Sequence, residues 1–389
     1  MTTRYKVYIK GLTAALMFLI LVPRLYGQDK KAVTLNGYVT EMYSVTFDSL
    51  SGLFINDNLI HNRLNFKAYA GDHLSAAIEL RNRIFTGDNV RINPDYSEMI
   101  GYDAGIIDMS WNLADKNSIL INTAVDRMYF DLNFNKFQAR VGRQRINWGQ
   151  TMVWNPNDIF NAYSFFDFDY VERPGSDAIR LQYFPSYASA VELTVKGDAN
   201  ENLTAAGLWR FNRWGYDIQL LGGYVNSQDL MIGTGWSGAI GSYSFRGEMS
   251  WFQPQKNFSD TAGTGLFTAG FDKIFRDNSM AQIQVMYCNN PVDMGSFSSF
   301  YFGTMSSKDL AVSKFTAFGQ FTYAATPLIN LSVSAMWFPD LDGYFAGPSF
   351  DYSLAENFDF SLIWQHFQGK PDGVRFNINL CFLRFKYSF

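Results

Sequence analysis

The sequence predicts an all-β protein, a transmembrane antiparallel β-barrel of about eighteen strands with a long internal loop; each strand needs only about ten residues of alternating character. Segments in which apolar and polar residues alternate recur from Val33 to the C-terminus. Aromatic residues make up 17% of the chain, mostly Phe and Tyr. Beyond residue 27, no apolar run reaches the roughly 18 residues that a membrane-spanning helix requires. These three observations favour a barrel over helical membrane proteins.

Residues 1–27 have the pattern of a cleaved secretory signal peptide. Basic residues precede an apolar run from Leu12 to Val22, which is too short to span a bilayer. Removing this segment takes the formal net charge from −4 to −8, and an acidic chain gives no support to nucleic-acid binding. Residues 28–389 lack a linker rich in Pro, Gly or Ser, so we expect a single barrel domain.

The first strands show the alternation most clearly. His61, Arg63 and Lys67 share one face of their segment, and Glu79 and Arg81 share one face of the next. Charges on one side only suit a wall between lipid and water. The other predicted strands are residues 124–134, 137–147, 176–185, 188–197, 203–211, 216–225, 230–240, 243–253, 263–275, 279–289, 313–325, 328–338, 343–353, 358–368 and 373–389.

A further strand around Met109 and Trp111 is excluded on topological grounds. Counting it gives about nineteen strands and places the termini on opposite sides of the membrane, whereas bacterial barrels have even strand numbers. We therefore predict about eighteen strands, with about sixteen as the nearest alternative.

Both the strand ends and the C-terminus fit an outer-membrane protein. Trp209, Trp214 and Trp337 lie near strand ends, where an aromatic girdle meets the lipid headgroups. The last strand alternates apolar and aromatic residues from Cys381 to Phe389. It resembles the C-terminal insertion signal of Gram-negative outer-membrane barrels, which implies outer-membrane lipid and the barrel-insertion machinery as partners.

Residues 142–149 (GRQRINWG), 154–158 (WNPND) and 172–175 (ERPG) resemble a group of poorly characterised porin-like outer-membrane proteins. In these proteins a G-R-Q-x-x-x-W-G strand end leads into W-N-P-N-D and then an E-R-P-G turn. The resemblance implies a porin-type fold located in the outer membrane of a Gram-negative bacterium. It implies no particular solute.

Residues 148–175 interrupt the strand pattern and are predicted to fold into the lumen, as either a constriction or a plug. Asn155 to Asp158 resemble a helix start. We expect the loop to present acidic residues to basic residues of the wall, because opposed charges at a constriction orient polar solutes. The candidate lining residues are Arg63, Lys67, Glu79, Arg81, Arg140, Asp158, Asp167, Asp169, Glu172, Arg173 and Arg180. Arg143 and Arg145 should face lipid unless a bulge at Gly142 intervenes or the strand has already left the membrane.

Other chemistry has little support in the sequence. Cys288 and Cys381 are too few and too far apart for a disulfide framework or a metal site, and no cofactor is predicted. The three histidines show no local Ser and acid grouping, so we expect a protein that is not an enzyme. Asp340 to Gly343 are expected to form a surface turn rather than a calcium loop.

The sequence predicts an outer-membrane channel for passive diffusion of small hydrophilic solutes. One alternative is a closed barrel with a binding, adhesive or assembly role, and a weaker one is a barrel enzyme. The sequence leaves open a homo-oligomer.

Overall fold

The computed structural model describes residues 32–389 except 51, 169, 171, 257 and 296–304. The predicted signal peptide therefore lies outside the described residues. Nineteen strands form one antiparallel sheet that closes where β1 pairs with β19. The strands are β1 (Val33–Phe47), β2 (Phe54–Ala70), β3 (Leu74–Gly87), β4 (Ser110–Lys116), β5 (Ile119–Phe134), β6 (Phe137–Gln144), β7 (Ser176–Ser186), β8 (Ser189–Gly197), β9 (Leu203–Arg213), β10 (Tyr216–Val225), β11 (Asp229–Ile240), β12 (Tyr243–Pro254), β13 (Thr264–Ile274), β14 (Met280–Cys288), β15 (Phe315–Thr326), β16 (Ile329–Phe338), β17 (Gly343–Ala355), β18 (Phe358–Gly369) and β19 (Phe376–Ser388).

Alternation along the strands separates an outer face from the lumen. Arg63 and Glu248 point inward and are fully buried, whereas Ile179 on the outer face is 52% exposed. Successive side chains of a strand point to opposite faces, so this period-two pattern turns one face apolar and the other polar. The outward Trp209, Trp214 and Trp337 are exposed.

The wall is a closed barrel of 18 strands, as predicted, and β4 is an addition to it. Residues 128–134 of β5 pair with β6, but β6 leaves the wall after Gln144. On the same edge of β5, residues 119–124 pair with β4 instead of with β6. The expectation that this segment forms no strand was wrong. It forms a short one because the edge of β5, once β6 has left, needs a backbone partner.

The start of β1 and the C-terminal residue Phe389 lie at the same rim of the barrel. Seven connections of two or three residues lie at this terminal rim, several with a left-handed residue such as Gly71 (φ 66°) or Asn135 (φ 48°). Most of the longer connections lie at the opposite, loop rim, and one of them contains two short helices, Asp88–Ile92 and Tyr96–Gly101. None of the helices in the described residues is long and apolar enough to cross a membrane. The backbone of Phe389 exchanges two hydrogen bonds with Gly37, at 2.9 and 3.0 Å, which seals the β1–β19 seam.

A β-bulge lies in β5 rather than at Gly142 of β6. The β3–β5 register shifts between Glu79 and Leu80, so Asp126 is an extra residue and both Asp126 and Arg127 point into the lumen. The β5–β6 register is regular through Gly142, whose φ of 119° suits glycine because the Met128 carbonyl lies where a Cβ would be.

Arg143 stays on the outward side of β6 but is covered by the segment that precedes β4. Its guanidinium bonds Asp177 at 2.7 Å, Asp103 at 2.6 Å and the Ile107 carbonyl at 2.7 Å, and the residue is 5% exposed. Arg143 thus joins β7 to the segment that fills the gap left by β6. Arg145, beyond the end of β6, turns toward the lumen and bonds the Glu172 carbonyl at 3.2 Å.

Candidate functional site

A buried carboxylate of β12 is a main attachment of the inner loop, residues 145–175. Glu248 accepts hydrogen bonds from the backbone N–H groups of Gln150, Thr151 (2.9 Å) and Asn157 (2.9 Å), and from the Thr151 hydroxyl at 3.2 Å. Glu248 has no exposed surface. Hydrogen bonds from backbone N–H groups to a carboxylate are charge-assisted, and such bonds are stronger than those between two neutral groups. The loop backbone therefore stabilises the buried charge while the charge fixes the loop.

Side chains of other strands continue this attachment. Gln284 of β14 accepts from the Val153 N–H at 2.9 Å and donates to the Trp154 carbonyl at 3.1 Å. On the other side, the Trp148 indole donates to Glu192 of β8 at 2.7 Å. The first half of the inner loop is thus tied to strands from β8 to β14, across the lumen.

The WNPND segment forms a turn instead of the predicted helix start. The Asp158 N–H donates to the Asn155 carbonyl at 3.0 Å, and the Asn157 side chain leaves the loop to meet Ser250 at 2.8 Å. The Asn157 side chain is thus bonded to the barrel wall, and the chain does not continue into a helix after this turn. Asp158 is fully buried, and burial raises its pKa from 3.8 to about 7, with the nearby Glu248 charge adding to the effect.

The second part of the inner loop packs an aromatic cluster against the wall. Phe166 lies 4.9 Å from Phe367 and 5.1 Å from Phe345, measured between ring centroids, and Phe168 lies 4.9 Å from Phe382. These edge-on pairs belong to a buried apolar cluster that includes residues of β13 to β19. The loop therefore closes this side of the lumen with apolar contacts.

The returning arm of the loop, residues 167–175, faces a charged surface formed by β1, β2, β3 and β5. Glu172 accepts from the Tyr38 hydroxyl at 3.0 Å, and its carbonyl accepts from Arg127. Arg173 pairs with Asp167 at 3.7 Å and lies over the Tyr163 ring. The contacts of the returning arm are therefore polar and charged, whereas those of the aromatic cluster around Phe166 are apolar.

Behind the arm, the wall carries its own ion-pair network around Arg63. Arg63 bonds Glu79 and Asp126, the latter at 2.5 Å, and Arg81 lies 3.3 Å from the same Asp126 carboxylate. Arg127 also contacts Glu79, at 2.9 Å. Glu172 of the arm, 4.0 Å from Arg63, is the third carboxylate beside the three guanidinium groups, and these opposite charges compensate for burial.

Other predicted lining residues lie outside this arrangement. Arg140 pairs with Asp131 at 2.9 Å and Arg180 with Glu192 at 2.7 Å, both on the wall, and Lys67 lies over the Tyr69 ring near the terminal rim. Asp158 is buried within the loop rather than presented to an open lumen. Asp169 lies outside the described residues.

Sequence reasoning missed several residues that hold the loop. Arg127, Glu192, Glu248 and Gln284 contact the loop directly, and Asp126 belongs to the wall network behind it. For Glu192 and Glu248, an acid on the inward parity of a strand was a visible signal. For Asp126 no such signal existed, because the bulge changes its parity.

A cavity of about 840 Å³ lies between the inner loop and the loop rim. Inward residues of β1 to β3, the connection between β3 and β4, and the inner loop line it, among them Arg83, Tyr96, Tyr163 and Arg173. Its size falls in the range of small-molecule sites, about 300–1,000 Å³. We call it the outer vestibule.

The histidines and cysteines have structural surroundings. His73 bonds the Asn133 carbonyl and His366 bonds Asn379, while Cys288 and Cys381 are free thiols. Among the described residues no cluster of His, Cys, Asp and Glu could hold a metal ion. Asp342 adopts the left-handed conformation (φ 42°) expected of a turn.

Comparisons with known proteins support the barrel. A family model described as a protein of unknown function, DUF1302, matches residues 122–262. No curated protein matches the sequence. The outer membrane protein OpdK from Pseudomonas aeruginosa has a TM-score of 0.58 at 9% identity, over 92% of this chain and 98% of that chain. Acinetobacter baumannii OccAB4 has a TM-score of 0.57 at 9% identity, over 93% and 99%. The chain therefore has a porin-like barrel fold.

Proposed function

We propose that the protein is a passive channel for small hydrophilic solutes in the outer membrane of a Gram-negative bacterium, with the inner loop as its constriction. The observation that carries this proposal is the crossing of the lumen by residues 145–175, between the outer vestibule and the terminal rim. A loop in this position limits the cross-section and sets the chemistry that a solute meets.

The route that we infer runs between the returning arm and the surface of β1, β2, β3 and β5. Polar contacts there, such as Tyr38 to Glu172, exchange with water more easily than the buried rings of Phe166 and Phe168 on the other side. One ion pair spans the route, between Arg63 of the wall and Glu172 of the arm at 4.0 Å, and it places a positive and a negative group on opposite sides. Such a transverse field orients polar solutes and favours them over apolar ones.

A closed barrel is the second candidate. The buried Glu248 and Gln284 contacts and the aromatic cluster around Phe166 hold the loop at many points, as a plug requires. In that case the function is binding, adhesion or assembly through the connections at the loop rim.

Single-channel conductance of the refolded mature protein in planar bilayers distinguishes the two. We would compare it with a variant shortened within residues 149–175 and, as a matched control, with one shortened within residues 255–262 at the loop rim. The channel proposal expects steady conductance that grows on shortening the inner loop and not the control. A silent intact protein that conducts once the inner loop is shortened assigns the loop as a plug. Silence of all three, with folding shown by heat-modifiable migration, overturns the channel proposal.

A further inference from the structure

A groove of about 430 Å³ lies on the outward face of the barrel, across β17, β18, β19 and β1. Its floor is a row of outward side chains in register: Val45 pairs with Cys381, and Cys381 pairs with Trp364. Pro348 of β17 continues the row. The next row toward the terminal rim is bulkier, with Tyr43 and Phe350. Val45, Cys381 and Pro348 are smaller than the neighbouring Trp364, Tyr43 and Phe350, and this difference in size creates the depression.

The sheet is also interrupted at this point. Among the described residues of the β17–β18 hairpin, pairing lapses at Gly347 and Pro348 and resumes at Ser349. Pro348 has no N–H to give to the ladder, and proline is rare inside a sheet. A Cβ at Gly347 would lie 2.5 Å from the Phe345 ring, so a larger residue there would have to displace that ring. The lapse deepens the groove into the wall.

Polar side chains adjoin the groove on the side of the loop rim. The Asn379 side-chain oxygen accepts from the Trp364 indole at 3.2 Å and lies 2.9 Å from His366 Nδ1, and the Tyr344 hydroxyl lies 3.2 Å from His366 Nε2. Residues 344, 364, 366 and 379 all have outward parity. Polar and ionisable groups on the lipid side of a membrane protein are costly, which makes them candidates for function.

We propose that this groove is a binding site for one acyl chain of an outer-leaflet lipid, with the polar part of the lipid at Tyr344 and His366. An apolar channel with a hydrogen-bonding cluster at its outer end matches an amphiphile. Strands in such barrels tilt by roughly 35–45°, so a row across them runs obliquely through the membrane and a chain can descend along it from the loop rim. The alternative to a lipid is a second copy of this chain that covers the groove, and the experiment below distinguishes the two.

Photolabelling of the full mature protein tests the site independently of conductance. The probe is phosphatidylethanolamine with a diazirine on its acyl chain, in phosphatidylethanolamine vesicles, and labelled peptides are mapped by mass spectrometry. We expect labelling of residues 343–353, 358–369 and 376–388 to exceed that of the outward strands β10 to β13 several-fold. Even labelling of all outward strands overturns the proposal. So does protection of the groove in a protein that cross-links as a dimer.

Two variants and a control refine the test. Cys381→Phe fills the groove and His366→Ala removes a polar contact, so both should lower the labelling of these three segments several-fold. Ala205→Phe, on the outward face of β9, adds an aromatic ring far from the groove and should leave labelling unchanged. Equal effects of all three variants contradict a specific site. If Cys381→Phe fails to fold, the labelling pattern of the unmodified protein still shows whether lipid is concentrated at the groove.

Discussion

Glu248→Gln tests whether one buried side chain keeps the inner loop docked. The native carboxylate accepts from three backbone N–H groups and from the Thr151 hydroxyl, and it has no contact with solvent. Glutamine has nearly the same shape, but one end of its amide is an NH₂ donor that cannot accept a hydrogen bond. The substitution therefore changes hydrogen bonding with little change in packing.

In the better orientation of the amide, its oxygen keeps the Gln150 and Thr151 donors, and the Asn157 N–H then faces another donor. A buried donor without a partner costs roughly 1–3 kcal/mol. A free energy of about 1–3 kcal/mol changes an equilibrium about 5- to 150-fold, so the undocked population should rise by that factor. The barrel itself keeps its full set of strand contacts.

Limited proteolysis within residues 145–175 measures this population, because cleavage follows the open fraction when opening and closing are fast. The cleavage rate should rise within the stated range, and single-channel recordings should show more frequent large openings. Gln320→Ala is the matched control, since Gln320 faces the lumen and bonds Gln282 rather than the loop. A cleavage rate for Glu248→Gln equal to that of the unmodified protein would refute the reasoning.

Three further predictions follow from buried contacts. The neutral form of Asp158 is the one that packs, because its pKa rises from 3.8 to about 7; its contribution to docking is complete below pH 3.8 and lost as pH rises through 7. Loop cleavage should therefore increase from acidic to alkaline pH, and Asp158→Asn should remove that dependence. Phe166→Ala should cost roughly 3–5 kcal/mol of loop packing and raise conductance. Arg143→Ala leaves Asp103 and Asp177 without their partner, at a cost of roughly 3–5 kcal/mol, and should expose residues 103–116 to hydrogen exchange.

Each of these three predictions has a control experiment. For Asp158, a pH dependence that persists in the Asn variant assigns it to another group. For Phe166, Phe271→Ala on the outward face of β13 should leave conductance unchanged. For Arg143, Arg143→Lys keeps the charge and loses the forked geometry, so it should restore part of the protection. Protection unchanged in Arg143→Ala would contradict the role assigned to this residue.

Several features followed from the sequence because they depend on local pattern. The alternation of residues such as His61 and Arg63 with apolar neighbours located the wall strands to within a few residues at most ends. The even strand count followed from returning both termini to one side. The break in pattern after β6 located the inner loop, because no strand signal continues there.

Other features required the tertiary structure because they depend on contacts between distant segments. The strand β4 exists because the exit of β6 leaves part of β5 without a partner. Asp126 enters the ion-pair network through a bulge that alternation cannot reveal. Arg143 stays on the outward side yet is buried, since residues 103–107 lie over it.

The sequence by itself determined a membrane barrel with a long inward loop, because period-two alternation and turn chemistry are properties of neighbouring residues. The path of that loop was decided by tertiary structure alone. Asp158 was expected to face the lumen and is buried, while Glu248, 91 residues beyond Asn157 along the chain, holds the loop backbone. Such contacts arise only when the closed sheet brings β12 opposite the end of β6, and no local pattern records that closure.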